Sequence, residues 1–315
     1  MLKKNFTCVC IVFFLVSAFT ACSLNKMAMK TIADTLASST SGHTFTGDDD
    51  PDLVGDALPF ALKLYESLIA EMKDNPGLYL TTGSGFIMYA NVWVQTPADM
   101  LPDSEFARKK QMTARSRRLY IRGRDYVLQG LEVKYPGFRA SLDSGDQRKH
   151  LGGMKKDDVP YLYWASAGWI AAFAADPFDI DMSISVKNAA VMINTALNLD
   201  GGYSEGSIHD LLISYYGSLP QAMGGSEEKA RYHFERAVEF SRGRKASPYV
   251  ALASSISVKN QNMKEFTILL NKALAINVDE DPGNRLANII AQRKARWLLE
   301  HRRDKFLSDT PGEKK

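Results

Sequence analysis

The residues of this chain with the greatest capacity for chemistry are aromatic. The stretch YLYWASAGWIAAF carries Tyr161, Tyr163, Trp164, Trp169 and Phe173, and YANVWV adds Tyr89, Asn91 and Trp93. That is more ring area than one helix stripe needs for its own burial, so two readings stand: the rings are packed core, or they line an apolar cleft. In a cleft, Asn91 or an arginine of the RGR stretch at 122–124 could fix the polar end of an amphipathic solute such as an organic acid. Other chemistry has little to build on. His43, His150, His209, His233 and His301 are dispersed and unpaired with cysteine, which argues against a metal site. His233, between Tyr232 and Phe234, reads as a packed histidine rather than a base. HExxH and GxSxG are absent, and TTGSGF at 81–86 is neither a hydrolase elbow nor a phosphate loop. Asp48, Asp49 and Asp50 lack the following glycine and glutamate of a calcium loop; Asp50 and Asp52 instead flank Pro51, where carboxylates suit the start of a helix. The expectation is a non-catalytic protein without cofactor or metal.

The N-terminus restricts the compartment. Lys3 and Lys4 precede an apolar run from Phe6 to Ala21, too short for a membrane span and suited to an export signal over 1–21. Thr20 and Ala21 lead into Cys22 in a pattern similar to the lipobox of bacterial lipoproteins, although Phe19 stands where leucine is usual. Cys8 and Cys10 fall in the segment removed, so Cys22 would be the only cysteine of the mature chain and could not serve an internal disulfide. Cys22 is therefore read as the lipidation site, and several acyl chains would hold the protein firmly to a membrane. The expected location is periplasmic, anchored to the inner or the outer membrane.

The elements that would position the aromatic residues follow from periodicity. Residues 22–52 read as a lipid-anchored flexible spacer, 53–307 as a helical domain and 308–315 as a disordered tail. The chain is 45% apolar and 24% charged, with 39 Lys and Arg against 36 Asp and Glu; loss of Lys3 and Lys4 leaves it almost neutral. No nucleic-acid partner is expected. The basic run from Arg108 to Arg124 reads as the solvated face of a long helix.

Small or apolar residues recur at offsets of four and then three: Gly123, Val127 and Gly130; Ala189, Ile193 and Ala196; Ala230, Phe234 and Ala237; Phe266, Leu270 and Ala273; and, weakly, Ala61, Tyr65 and Leu68. Such spacing resembles the second helix of a tetratricopeptide repeat, where small residues let paired helices approach. The spacing between these anchors is irregular, and only the last two intervals are near the repeat's usual 34 residues. The fold expected is all-α: a curved array of cryptic tetratricopeptide-like helix pairs with extra helices and loops. Gly168 is the small packing position of the aromatic helix.

The stretches RGRDYVLQGLEVKYPGF, YLYWASAGWIAAF, YYGSLPQAMGGSEEKARYHFERAVEFSRG and NRLANIIAQRKARWLLE, spread over 53–307, resemble the T-component (TatT) lipoprotein family of tripartite ATP-independent periplasmic (TRAP) transporters. The resemblance implies a membrane-anchored, non-catalytic helical protein that forms a homotrimer and pairs with the soluble substrate-binding P component. It also implies an apolar cleft or pore that takes a small apolar or amphipathic solute. The alternative is an envelope tetratricopeptide scaffold for protein–protein interaction without a transport role.

Overall fold

The computed structural model describes Thr31 and residues 45–307, and among these every regular element is helical. Several helices begin where a side chain accepts the first unpaired backbone N–H groups. Asp50 accepts from the N–H of Asp52 and Leu53 at 3.0 and 3.1 Å, with Pro51 following, so α1 (Pro51–Glu71) starts two residues ahead of the expected boundary at 53. Asn75 and Pro76 do the same for α2 (Pro76–Tyr89). That helix does not stop at Tyr89. Its turn widens over Ala90–Gln95 and resumes through Asp99.

The basic run lies on the longest helix, α3 (Phe106–Lys134), followed by α4 (Phe138–Ser144). The aromatic stretch forms α5 (Val159–Ala175), followed by α6 (Ile180–Ser185) and α7 (Lys187–Leu199). The rest comprises α8 (Tyr203–Ser218), α9 (Glu227–Ser241, capped by Ser226), α10 (Ser247–Leu252, continued by a wide turn over Ala253–Ser257), α11 (Met263–Leu274, capped by Asn262) and α12 (Arg285–Glu300).

The residues at four-then-three spacing sit where helices touch. Ala189, Ile193 and Ala196 on α7, and Phe266, Leu270 and Ala273 on α11, are all buried. On α9, Ala230 and Ala237 are buried and Phe234 is half-buried. The helices bearing them pack on the ones before: α3 on α2, α9 on α8, α11 on α10, and α7 on α5. This pairing is compatible with tetratricopeptide-like units. The closest approach is between α2 and α3, where a Cβ on Gly123 would lie 2.6 Å from the carbonyl oxygen of Gly83. Only a hydrogen fits there. Gly168 makes the equivalent approach for α5, since a Cβ there would lie 2.8 Å from Ile87 Cδ1 and 3.2 Å from Arg124 Cβ.

Contacts pass from α1 through α2, α3, α5, α8, α10, α11 and α12, and then return to α1. The return is polar: the Arg293 guanidinium donates to Asp52 at 3.0 Å, and Arg285 donates to the carbonyl of Gly47 at 3.3 Å. The array is closed head to tail.

Candidate functional site

Packed against α5, α8 begins in an unusual way. Ser204, Glu205 and Gly206 have φ of 45°, 51° and 84°, a left-handed turn in which two residues carry a side chain. Polar contacts hold the turn. Glu205 accepts from Asn284 of the α12 approach at 3.0 Å and from Arg244 at 3.4 Å, and the Lys245 ammonium donates to the Ser204 carbonyl and to Ser207 Oγ, the latter at 3.0 Å. Gly206 is held close to α9, where a Cβ would lie 3.2 Å from Ala237 Cα.

The turn places Tyr203 against α5. Its ring centroid lies 5.4 Å from that of Tyr163, which meets Trp164 edge-on at 5.2 Å. Four residues beyond the left-handed turn stands Asp210, beside Ser247 of α10 and within the field of Lys245. Tyr163, Tyr203 and Asp210 are half-buried and line the crevice where α5, α8 and α10 meet.

The crevice has an apolar wall and a polar end. Burial pushes the Tyr163 hydroxyl well above the usual phenol range and Tyr203 to about 12, so both remain neutral hydrogen-bonding groups. Desolvation raises the Asp210 carboxyl against the opposing pull of Ser247 and Lys245. It lowers the Lys245 ammonium, against the acids Asp210, Glu205 and Asp281. Such a pair can meet a solute's polar head with a carboxyl donor or acceptor and a cation, while the rings cover its apolar body.

The expected site residues divide between this crevice and other places. Tyr163 and Trp164 are half-buried beside Tyr203. Trp169 is buried elsewhere, with its indole N–H donating to Ser185 Oγ at 3.2 Å and Arg124 over its ring at 4.6 Å. Tyr161 is buried under the Lys134 ammonium, 4.8 Å from its ring centroid. Tyr89, Asn91 and Trp93 sit at the wide turn of α2 and tie it to its neighbours: Trp93 donates to the Pro51 carbonyl at 2.9 Å and stacks on Tyr89, and Asn91 donates to the Tyr120 hydroxyl at 3.3 Å. Arg122 and Arg124 pair with Glu66 and Asp125. Cys22 lies outside the described residues.

Sequence reasoning missed Tyr203, Asp210 and Lys245. One signal for them existed: Asp210 is the only charged residue in SIHDLLISYY, a run rich in apolar and aromatic residues. A second missed feature is the meeting of His209 and His233, whose Nδ1 atoms are 2.8 Å apart between α8 and α9. His233 stacks on Tyr216 and His209 on Phe240. Burial, together with Arg236 for His209 and with its partner ring and Lys229 for His233, depresses both imidazoles to about 4, so each is neutral at pH 7. No group of three or more potential metal ligands occurs among the described residues.

A family model for TRAP transporter T components matches residues 47–306, a span that includes every helix described above. The chain belongs to the TRAP transporter T-component family. It is also 37% identical over 301 residues to an uncharacterized protein of Treponema pallidum (strain Nichols), an alignment that covers 91% of this chain and 93% of that protein. The family is one of transporter subunits, which associates this T component with a TRAP transport system in the cell envelope. No described helix is long and apolar enough to cross a membrane.

Proposed function

We propose that this T component is a non-catalytic, lipid-anchored subunit that binds an amphipathic organic acid in the α5–α8–α10 crevice and works with the soluble substrate-binding P component. The observation that supports the solute half of this reading is the meeting of the half-buried rings Tyr163 and Tyr203, 5.4 Å apart, with the charged groups Asp210 and Lys245. The rings would cover the acid's apolar chain, and Lys245 with Asp210 would receive its polar head. Family membership supports the transport half, and Cys22 behind a short apolar run supports periplasmic anchoring through an acylated cysteine. Self-association as a homotrimer belongs to the same reading.

The test uses the four tryptophans, Trp93, Trp164, Trp169 and Trp297, as reporters. A long-chain acid should quench part of the emission saturably, and Trp164→Ala should abolish the saturable part while Trp93→Ala and Trp297→Ala leave it. Unchanged quenching in Trp164→Ala would place the solute elsewhere. Affinity capture from membranes should bring down a soluble binding protein. If it brings other envelope proteins and no acid quenches, the chain is an interaction scaffold instead. For the anchor, Cys22→Ala should move the protein from the detergent phase to the aqueous phase on partitioning.

A further inference from the structure

On the outer side of α3, away from the α5–α8–α10 crevice, a groove of about 490 Å³ is bounded by Arg118, Arg122, Tyr126 and Gln129 of α3, Tyr79 of α2 and Arg139 of α4. Its floor is aromatic, since Tyr126 stacks on Phe86 with ring centroids 5.9 Å apart. Each acid around it is already engaged. Glu66 takes Lys63, the Tyr126 hydroxyl and Arg122; Asp125 takes Arg124; and Glu132 accepts the backbone N–H groups of Gly137 and Arg139 at 2.8 and 2.9 Å. Two guanidiniums lack a salt bridge. Arg118 is exposed with no acidic partner among the described residues, and Arg139, in the field of Glu132, donates its guanidinium to Gln129 Oε1 at 3.1 Å.

We infer that this groove binds an extended acidic peptide segment of a protein partner. The two cations without a salt bridge both border it. Arg118 and Gln129, the residue that holds Arg139, are eleven positions apart, about 16 Å along a helix at 1.5 Å per residue. A small dicarboxylate is too short to meet both. About five residues of extended chain, at 3.3 Å each, span the interval with an acidic side chain at either end and apolar ones over Tyr79 and Tyr126. A flat membrane surface would leave the floor unfilled. The site is separate from the solute crevice, so it stands or falls independently of the function proposed above.

The probe is the fluorescein-labelled pentapeptide Glu-Ser-Leu-Ser-Glu, whose two acids and leucine share one face when extended, followed by anisotropy with the full chain in detergent. Saturable binding is expected, falling steeply between low and high salt. Arg118→Glu and Arg139→Glu should each weaken it about tenfold, and Lys264→Glu on α11 should not. Both groove variants alter exposed side chains, and an unchanged thermal midpoint checks their fold. Should either melt early, Arg118→Gln serves in its place, with a loss of about threefold expected. Absent saturable binding, or groove variants that bind like the parent, would overturn the proposal. Displacement of the peptide by anionic phospholipid vesicles would make this a membrane face, and displacement by micromolar citrate or triphosphate would make it a small-oxyanion site; either outcome replaces the peptide.

Discussion

The contact between α2 and α3 and the contact between α8 and α9 solve the same problem by opposite means. In the first, Gly83 and Gly123 remove their side chains and the backbones touch. In the second, the space between the helices is filled with rings: His209 against His233, with Tyr216 and Phe240 stacked outside them. A backbone contact is rigid and indifferent to solution conditions. The ring stack buries two titratable groups that cannot both be charged at 2.8 Å, so its strength depends on pH.

Acid should therefore separate the two contacts most clearly. Each imidazole titrates near 6.5 when unfolded and at about 4 when folded, so the unfolded chain holds more protons between these values and stability falls as pH drops from 6.5 towards 4. The loss should approach roughly 3 kcal/mol per ring. Urea denaturation of the parent and of His233→Phe at pH 7 and 4.5 measures it, and a pH dependence unchanged in the variant would mean that carboxylates elsewhere dominate. A step smaller, Trp169→Ala should cost about 3 to 4 kcal/mol by emptying a buried site, whereas Trp164→Ala on the crevice should cost clearly less. Equal losses would place both rings in ordinary core.

Gly123→Ala tests the backbone contact directly. Its new methyl meets a carbonyl oxygen that cannot rotate away, so a cost of about 2 kcal/mol is expected, the same at pH 7 and 4.5. A tolerated alanine would show that α2 and α3 can separate freely. The smallest effect belongs to the closing contact between α12 and α1. Arg293 and Asp52 are largely exposed, and Asp52→Ala should change global stability by less than about 1 kcal/mol. Hydrogen exchange at the start of α1 should nevertheless rise; unchanged protection there would mean that the ion pair plays no part in holding the ends together.

What could be read from the sequence follows the same division. Gly123, Val127 and Gly130, or Ala189, Ile193 and Ala196, announce a helix–helix contact within one short stretch, because the spacing that makes the contact belongs to a single helix. The meeting of His209 with His233 depends on the register between two helices, and that is set by the left-handed turn at 204–206, which no local preference of Ser or Glu foretells. The crevice was half legible for the same reason. Tyr163 and Trp164 are in one aromatic stretch, but Tyr203, Asp210 and Lys245 join them only through the path of α8 and α10. Trp93 looked like a cleft residue and instead fills the space beside Gly55, because a lone tryptophan carries no mark of which neighbour it will meet.

Head-to-tail closure also limits how this architecture can change over evolutionary time. An open solenoid gains or loses a repeat at little cost, since each unit touches only its neighbours. Here, deleting the α10–α11 pair would leave α12 short of Asp52 and Gly47, and duplicating it would carry α12 past them. Every other crossing angle would have to adjust to make up the difference. Variation should therefore enter as loop insertions between helices, with the number of helices held fixed.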